Sequence, residues 1–169
     1  MLFNLLATGA APDFLKALDV PCWVEERTAA EVRRMPGERA ESMPLLPLFD
    51  GGHLRLCRMS PSAYDIYLSL ISGSSTEALD DGESAAIATC VTGLGSIVLD
   101  DKKARRICAE RFGQVSMASS LYLFVEAARR GDWDEERLSD AIQRARDVSR
   151  MSVVPAEREW FTSLCPGLI

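Results

Sequence analysis

Three groups of acidic residues lie where predicted secondary-structure elements begin or end. Asp100 and Asp101 directly follow an apolar stretch, Glu25 and Glu26 follow another, and the segment Asp80–Glu83 opens a predicted helix. Carboxylates that a fold brings together offer the hard oxygen ligands that Mg²⁺ and Mn²⁺ prefer. Ions of this kind activate water and neutralise charge on a phosphodiester during its cleavage. The pattern therefore predicts a site for metal-dependent phosphodiester cleavage, provided that the three groups converge.

The same acids also have a structural interpretation that involves no ligand. Side-chain oxygens at helix N-termini accept hydrogen bonds from unpaired N–H groups, and negative charge there interacts favourably with the helix dipole. Asp81 and Asp101 each stand where such a cap is expected. The pair Asp100-Asp101 is the hardest to explain by capping alone, because an apolar strand runs directly into two charges.

Four basic residues follow this pair and allow two interpretations: Lys102, Lys103, Arg105 and Arg106. They can form ion pairs with acids one helical turn away, or they can contact RNA phosphates. The net charge of −6 argues against a broad nucleic-acid surface. A small basic patch beside the acids is compatible with that charge.

The elements that would position the acids alternate between strands and helices. Apolar patterning predicts strands at 20–24, 53–59, 96–99, 114–117 and 151–154. Helices are predicted at 12–18, 25–34, 61–73, 81–93, 102–112, 120–131, 134–149 and 155–164, and the proline-rich segment 36–50 is predicted as a loop. This alternation is typical of an α/β fold with a parallel sheet covered on both faces. In such sheets, functional groups gather at the carboxyl ends of the strands.

Composition excludes several classes of protein. The 169 residues suit a single domain, no apolar run is long enough to span a bilayer, and no basic segment precedes the apolar N-terminus. His53 is the only histidine, which argues against a histidine-based zinc site or a Ser-His-Asp triad. The five cysteines form no CxxC pair, and Cys90 and Cys108 are predicted to pack as small apolar residues. A reducing cytoplasm is therefore the expected location.

Several stretches taken together resemble the PIN-domain proteins of bacteria and archaea. Asn4–Gly9 resembles the end of that family's first motif, and Val20–Glu26 resembles its motif of a strand, a proline, a valine and a glutamate. The remaining stretches are Gly82–Ala88, Ile97–Arg106, Gly113 and the helix from Ser119 to Gly131. The resemblance covers nearly the whole chain and is closest to a branch related to the toxins of type II toxin–antitoxin pairs.

The resemblance implies a three-layer α/β/α PIN-like fold with a small parallel sheet, in one domain spanning residues 1–169. It implies a metal-dependent endoribonuclease that uses Mg²⁺ or Mn²⁺ held by Glu26, Glu83 and Asp100 or Asp101, with Glu25 as an alternative to Glu26. It further implies an RNA substrate, an antitoxin protein as partner and assembly as a homodimer.

The chain departs from the family at its N-terminus. The family's first acid is an Asp at the end of the first strand, which falls upstream of Met1, so both the strand and its Asp are missing. Either translation starts further upstream, or the chain has an incomplete metal site to which Asn4 adds only a neutral oxygen. We prefer the first interpretation, because losing a central strand from a parallel sheet leaves apolar side chains uncovered and backbone groups unpaired. A chain begun upstream is then expected to be the more active nuclease.

Three functional hypotheses therefore stay open. The first is a PIN-type endoribonuclease acting as the toxin of a toxin–antitoxin pair. The second is a catalytically inactive PIN-like module that binds a protein partner or RNA. The third is a housekeeping nuclease of RNA processing.

Overall fold

A computed structural model describes residues 1–32, 44–74 and 76–164. Its helices are α1 (Leu2–Ala7), α2 (Ala11–Leu18), α3 (Glu26–Glu31), α4 (Leu46–Asp50), α5 (Pro61–Ile71), α6 (Asp81–Thr89), α7 (Lys102–Arg111), α8 (Ser120–Arg130), α9 (Glu135–Ser149) and α10 (Arg158–Leu164). Its strands are β1 (Trp23–Glu25), β2 (Arg55–Cys57), β3 (Ser96–Val98) and β4 (Ser116–Ala118). A π-helical turn, Cys90–Leu94, extends α6, and a 3₁₀ turn, Pro155–Glu157, precedes α10.

The four strands form two separate parallel pairs. β1 pairs with β2 in the register Trp23 with Arg55, and β3 pairs with β4 in the register Ser96 with Ser116. Helices and parallel strands therefore coexist as the sequence predicts, and the α/β class is confirmed at that level. Within the described ranges, however, no hydrogen-bonded ladder joins the two pairs into one sheet.

Two of the three hydrophobic clusters in the described residues contain a strand residue, Val24 of β1 in the larger core and Ile97 of β3 in the second. The larger core lies among α1, α2, α8 and α9, where the Phe14 ring packs against Phe124 at 4.8 Å and Trp133 at 4.4 Å between centroids. The second core lies among α5, α6, α7 and β3 and contains Leu70, Ile87 and Ile107. The larger core buries the apolar faces of the amphipathic helices α2, α8 and α9, which is the main source of stability for helices of this length.

Side-chain caps fix where most of the long helices begin. The hydroxyl of Ser60 accepts from the Ala63 N–H at the start of α5, and the Ser119 hydroxyl accepts from the Tyr122 N–H at the start of α8. A carboxylate oxygen of Asp134 accepts from the Arg137 N–H at the start of α9. Each cap satisfies a donor that has no partner within its helix, which contributes about 1 kcal/mol.

Some sequence predictions are wrong in detail. The segment 151–154 is irregular rather than a strand, and the part of the predicted loop at 46–50 is helix α4. Residues 36–43 of that loop and residues 33–34 of the predicted second helix lie outside the described residues. Helix α1 has no counterpart among the predicted elements. None of the helices in the described part of the chain is long and apolar enough to cross a membrane.

Candidate functional site at the carboxyl ends of two strands

A cavity of about 600 Å³ is bordered by both strand pairs and both cores. β1 and β3 line it along their whole length, and neither has a second strand partner among the described residues. Apolar side chains of α1 and α2, including Leu5 and Leu15, line one part, and α6 contributes Ala86, Thr89 and others. This volume lies within the range of small-molecule sites in proteins.

Six carboxyl groups lie around the same cavity: Glu25, Glu31, Asp80, Glu83, Asp100 and Asp101. Three of the sequence-predicted residues, Glu83, Asp100 and Asp101, thus line one cavity. Glu26 is not among the lining residues, because it is the first residue of α3 and its Oε1 lies 2.6 Å from the Nε of Arg58. Glu25, the alternative to Glu26, does line the cavity and is 5% exposed.

Asp100 is the centre of a hydrogen-bond network that joins three helices. Its Oδ1 accepts from the backbone N–H of Ser120 at 2.8 Å, and its Oδ2 accepts from the Ser120 hydroxyl at 2.5 Å. The same Oδ2 accepts from Asn4 Nδ2 at 2.8 Å and lies 3.6 Å from the Met1 amine. Asn4 in turn accepts from the Ser149 hydroxyl at 2.8 Å. The carboxylate therefore links α1 to α8 with both of its oxygens engaged, and Asn4 extends the network to α9.

Two of the other acids cap helices. Asp101 is exposed and its Oδ1 accepts from the Ala104 N–H at 2.8 Å, while Glu25 Oε2 accepts from the Arg27 N–H at 2.6 Å. The capping interpretation of Asp101 is thereby confirmed. The capping bond uses one carboxylate oxygen of Asp101 and one of Glu25, so the other oxygen of each side chain takes no part in capping.

Glu31 reaches from α3 to the N-terminus of α6. Its Oε1 accepts from the Gly82 N–H at 2.8 Å, and the Thr28 hydroxyl donates to the Gly82 carbonyl at 2.8 Å. A Cβ at position 82 would lie 2.3 Å from Glu31 Oε2, so the close approach depends on glycine here. Asp80 is the N-cap residue of α6, but its side chain makes no capping hydrogen bond. The Glu31 side chain, which belongs to α3, accepts from an N–H in the first turn of α6 instead.

Glu83 experiences the strongest electrostatic effect at this site. Burial of the carboxyl group, followed by the negative charges of Asp101 and Asp80, raises the pKa of Glu83 to about 7. Glu31 raises this pKa further, and the Met1 amine lowers it. Four acids from three segments of chain thus share one electrostatic environment, a situation that is typical of functional sites.

The donor set has the chemistry of a hard-cation site but not a preformed geometry. All of the groups are carboxylates, which suit Mg²⁺ and Mn²⁺. In the ranges 1–32, 44–74 and 76–164, however, no three acidic, histidine or cysteine side chains stand close enough together to ligate one ion. A bound ion would therefore require side-chain rotation, which is available to Glu83 and Asp101 and costly for Asp100.

Most of the basic residues after Asp101 have partners within the protein. Arg105 donates to the carbonyls of Leu99 at 2.9 Å and Ala118 at 2.8 Å, which ties the carboxyl ends of β3 and β4 together. Arg106 pairs with Glu110 at 2.8 Å, and Lys103 donates to the Ala78 carbonyl at 2.5 Å. These contacts favour a structural role over contact with RNA phosphates, although Lys102 and Arg106 are both exposed.

Two residues of the site were not singled out from the sequence. Glu31 lies inside a predicted helix, where an acid is usually solvated, and no local pattern indicates that it reaches Gly82. Thr89 is 8% exposed and lines the cavity, and its hydroxyl has no hydrogen-bond partner among the described residues. Only tertiary packing distinguishes it from other small helical residues. No family model, curated protein or solved structure matches this chain, so the geometry above carries its functional interpretation.

Proposed function

We propose that the acidic side of this cavity is the active site of a Mg²⁺- or Mn²⁺-dependent endoribonuclease of the PIN type. The observation that carries the proposal is the environment of Glu83, whose pKa is raised to about 7 by burial and by the neighbouring acids Asp101, Asp80 and Glu31. Burial and neighbouring like charges are the means by which active sites shift the pKa of a carboxyl group. The proposal includes a three-layer α/β/α arrangement of the PIN kind.

Each acid has a distinct part in this proposal. Glu83 and Asp101 would hold the ion, since each keeps an oxygen that no cap or network occupies. When bound, the ion supplies an activated water and neutralises charge on the phosphodiester. Asp100 positions α1 and α8 around the site. With a pKa of about 7, the Glu83 carboxyl group must release its proton before it can hold an ion at neutral pH, so ion binding should strengthen as the pH rises.

A second candidate is a binding module without nuclease activity, and a specific observation favours it. Both oxygens of Asp100 are engaged by Ser120, Asn4 and the Met1 amine, and Asp101 caps α7. Acids used in this way stabilise the fold and leave fewer ligands for an ion. In that case the cavity would bind a partner molecule, and divalent ions would have no effect on RNA.

Metal-dependent cleavage of RNA distinguishes the two candidates. The full chain is incubated with end-labelled RNA in the presence of Mg²⁺, Mn²⁺ or a chelator. We expect cleavage only with a divalent ion. The cleavage rates of Glu83→Gln and Asp101→Asn should be at least about tenfold lower than that of the parent chain, because each substitution weakens metal binding. Asparagine caps helices as well as aspartate does, so Asp101→Asn removes charge while the start of α7 is preserved.

Glu136→Gln is the matched control, because Glu136 is an exposed acid in the first turn of α9. Its rate should equal that of the parent chain. Equal rates for the parent, Glu83→Gln and Asp101→Asn would exclude the acidic side of the cavity as a nuclease site. No cleavage with either ion, by the parent chain or by a chain begun at the next upstream start codon, would favour the binding module.

The proposed setting is the toxin half of a type II pair, with an antitoxin protein as partner and a homodimer as the assembly. Expression in a bacterial host should then arrest growth, and Glu83→Gln should relieve the arrest. A housekeeping nuclease would instead be tolerated at the same level of expression. A small reading frame beside the coding sequence, whose product restores growth, would identify the antitoxin.

A further inference from the structure

The cavity separates two strand edges that are both open. β1 pairs only with β2 and β3 only with β4 among the described residues, yet both strands border the same space. Sheets made solely of parallel strands are normally larger and covered on both faces, and isolated two-stranded pairs are marginally stable. An open edge is a row of unpaired N–H and C=O groups that can template a further strand.

The backbone groups that face the cavity follow from the pairing. Leu99 donates its N–H to the Ala118 carbonyl at 3.0 Å, so the backbone groups of Leu99 are directed toward β4. Since successive residues direct these groups to opposite edges, those of Ser96 and Val98 are directed toward the open edge. In β1, the Cys22 carbonyl accepts from the Arg55 N–H at 2.9 Å, so the backbone groups of Cys22 are directed toward β2. By the same alternation, the backbone groups of Trp23 and Glu25 are directed toward the open edge of β1.

The carboxyl ends of β1 and β3 both lead to the first turn of α6, from which we infer that the two strands run in the same direction. The carboxyl end of β1 leads into α3, whose Thr28 and Glu31 contact Gly82 in the first turn of α6. The carboxyl end of β3 leads to Asp101, whose charge raises the pKa of Glu83 in the same turn. One inserted strand can therefore lie parallel to both neighbours, which is the arrangement that a continuous parallel sheet requires.

The walls of the cavity indicate the side chains of such a strand. Leu5 and Leu15 belong to the first core, and Cys90 and Ile97 belong to the second, and all four line the cavity. A strand between these cores would be buried on both faces and hence apolar throughout. Thr89 supplies one buried hydroxyl without a partner, which a backbone group of an inserted peptide can satisfy.

The charge around the cavity indicates which kind of residue should come directly after the inserted strand. Six acids line the cavity, and among the described residues the Met1 amine, 3.6 Å from Asp100 Oδ2, is the cationic group that faces them, since no Lys or Arg lines the cavity. The acids come after β1 and β3 or lie near the first turn of α6, so they surround the carboxyl end of the slot. A basic side chain at the carboxyl end of the inserted strand would complement them.

We propose that the cavity is a binding slot for an extended peptide segment, which inserts as a parallel strand between β1 and β3. The segment has apolar residues along the strand and a lysine or arginine immediately after it. Binding joins the two strand pairs into one five-stranded parallel sheet and unites the two cores. Peptide binding requires neither a divalent ion nor RNA, so it can be tested independently of the proposed nuclease activity.

The test uses the full chain with a chelator present and a synthetic peptide of about six residues, a typical strand length. The peptide consists of alternating valine and isoleucine followed by two lysines, with both ends blocked. The control peptide has the same side chains but N-methyl groups on alternate amides, so it cannot pair with both edges. Affinity is measured by calorimetry, and backbone protection by hydrogen exchange with mass spectrometry.

We expect the unmodified peptide to bind at least about tenfold more tightly than the N-methylated one, since several strand hydrogen bonds are lost. We also expect it to slow exchange in the segments 23–25 and 96–98. A reversed peptide with lysines at its amino end, and a peptide ending in two aspartates, should both bind at least about tenfold more weakly.

Val98→Pro tests the same contact from the protein side. It removes an N–H directed to the open edge, and proline is tolerated on an edge strand. A folded Val98→Pro protein should bind the peptide at least about tenfold more weakly.

Several results would overturn the proposal, and none depends on how well Val98→Pro folds. Equal binding of the N-methylated peptide would show an apolar pocket rather than a strand slot. Tighter binding of the aspartate-ended peptide would contradict the charge argument. If the peptide does not bind, a peptide is excluded as the occupant of the cavity. This holds whether or not the chain self-associates in analytical ultracentrifugation.

Discussion

Replacing Asp100 with alanine is expected to lower the free energy of unfolding by about 2–4 kcal/mol, because each buried donor that loses its acceptor costs about 1–3 kcal/mol. The side chain is 12% exposed and accepts from the Ser120 N–H, the Ser120 hydroxyl and Asn4 Nδ2. Alanine would leave the N–H and the hydroxyl of buried Ser120 without their acceptor, and would leave Asn4 Nδ2 with only the Ser120 hydroxyl oxygen at 3.2 Å. Thermal melting should shift down by roughly 10 °C for a chain of this size.

Asp101→Ala is the natural comparison, because the neighbouring side chain is exposed and makes a single capping bond. Loss of that cap should cost about 1 kcal/mol. A double-mutant cycle between Asp100→Ala and Asn4→Ala should give a coupling of about 0.5–3 kcal/mol, since the two side chains share a hydrogen bond. If Asp100→Ala and Asp101→Ala lower the free energy of unfolding in urea by the same amount, the hydrogen-bond network of Asp100 does not hold α1 in place.

Replacing Glu83 with glutamine is expected to stabilise the protein at alkaline pH and to have little effect in acid. The folded protein holds the Glu83 pKa at about 7, above the ordinary value of 4.5. Between those two pH values the folded state binds a proton that the unfolded state has lost. Stability therefore falls as pH rises through this window, and the loss is complete above a pH of about 7.

Glutamine cannot ionise, so Glu83→Gln avoids that loss. The shift in pKa corresponds to about 3 kcal/mol at most. Because the carboxyl group is partly exposed and screened by solvent, we expect roughly 1–2 kcal/mol at pH 8. Urea unfolding of the parent and Glu83→Gln between about pH 5.5 and 8.5 measures the difference. A gap that is constant across this range would show that the Glu83 carboxyl group is not perturbed by its neighbours.

The exposed Glu136 again provides a control, since Glu136→Gln should change stability little at any pH in this range. Addition of Mn²⁺ at pH 8 links the prediction to the proposed nuclease. An ion bound near Glu83 would stabilise the parent chain and would stabilise Glu83→Gln less. Equal stabilisation of the two proteins by Mn²⁺ would place its binding elsewhere.

The sequence by itself determined most of the helices and the general position of four strands. Ser60-Pro61, Asp101 and Asp134 each combine a capping residue with the start of an amphipathic pattern, and α5, α7 and α9 begin directly after them. Such signals are local, because a cap bonds to the first turn of its own helix and an apolar stripe repeats every turn. For this reason these signals can be recognised in the sequence without knowledge of the fold.

Other elements exist only because of distant contacts. Helix α1 has six residues and no side-chain cap, and an isolated helix of that length is unstable in water. It is held by packing on α9 and by the contact of Asn4 with Asp100. The segment 151–154 has a suitable composition for a strand, but the Met151 N–H bonds to the Ala145 carbonyl and its side chain enters the core instead.

The acidic residues show the same division. The sequence places acids after β1, after β3 and at the start of α6, but local pattern does not decide which of two adjacent acids turns inward. Glu25 turns inward because it caps α3, and Glu26 then projects from the first turn of that helix toward Arg58. Glu31 joins the group only because α3 packs on α6. Which strands pair, and hence where the open edges lie, likewise depends on contacts between residues far apart in the chain, which no local pattern encodes.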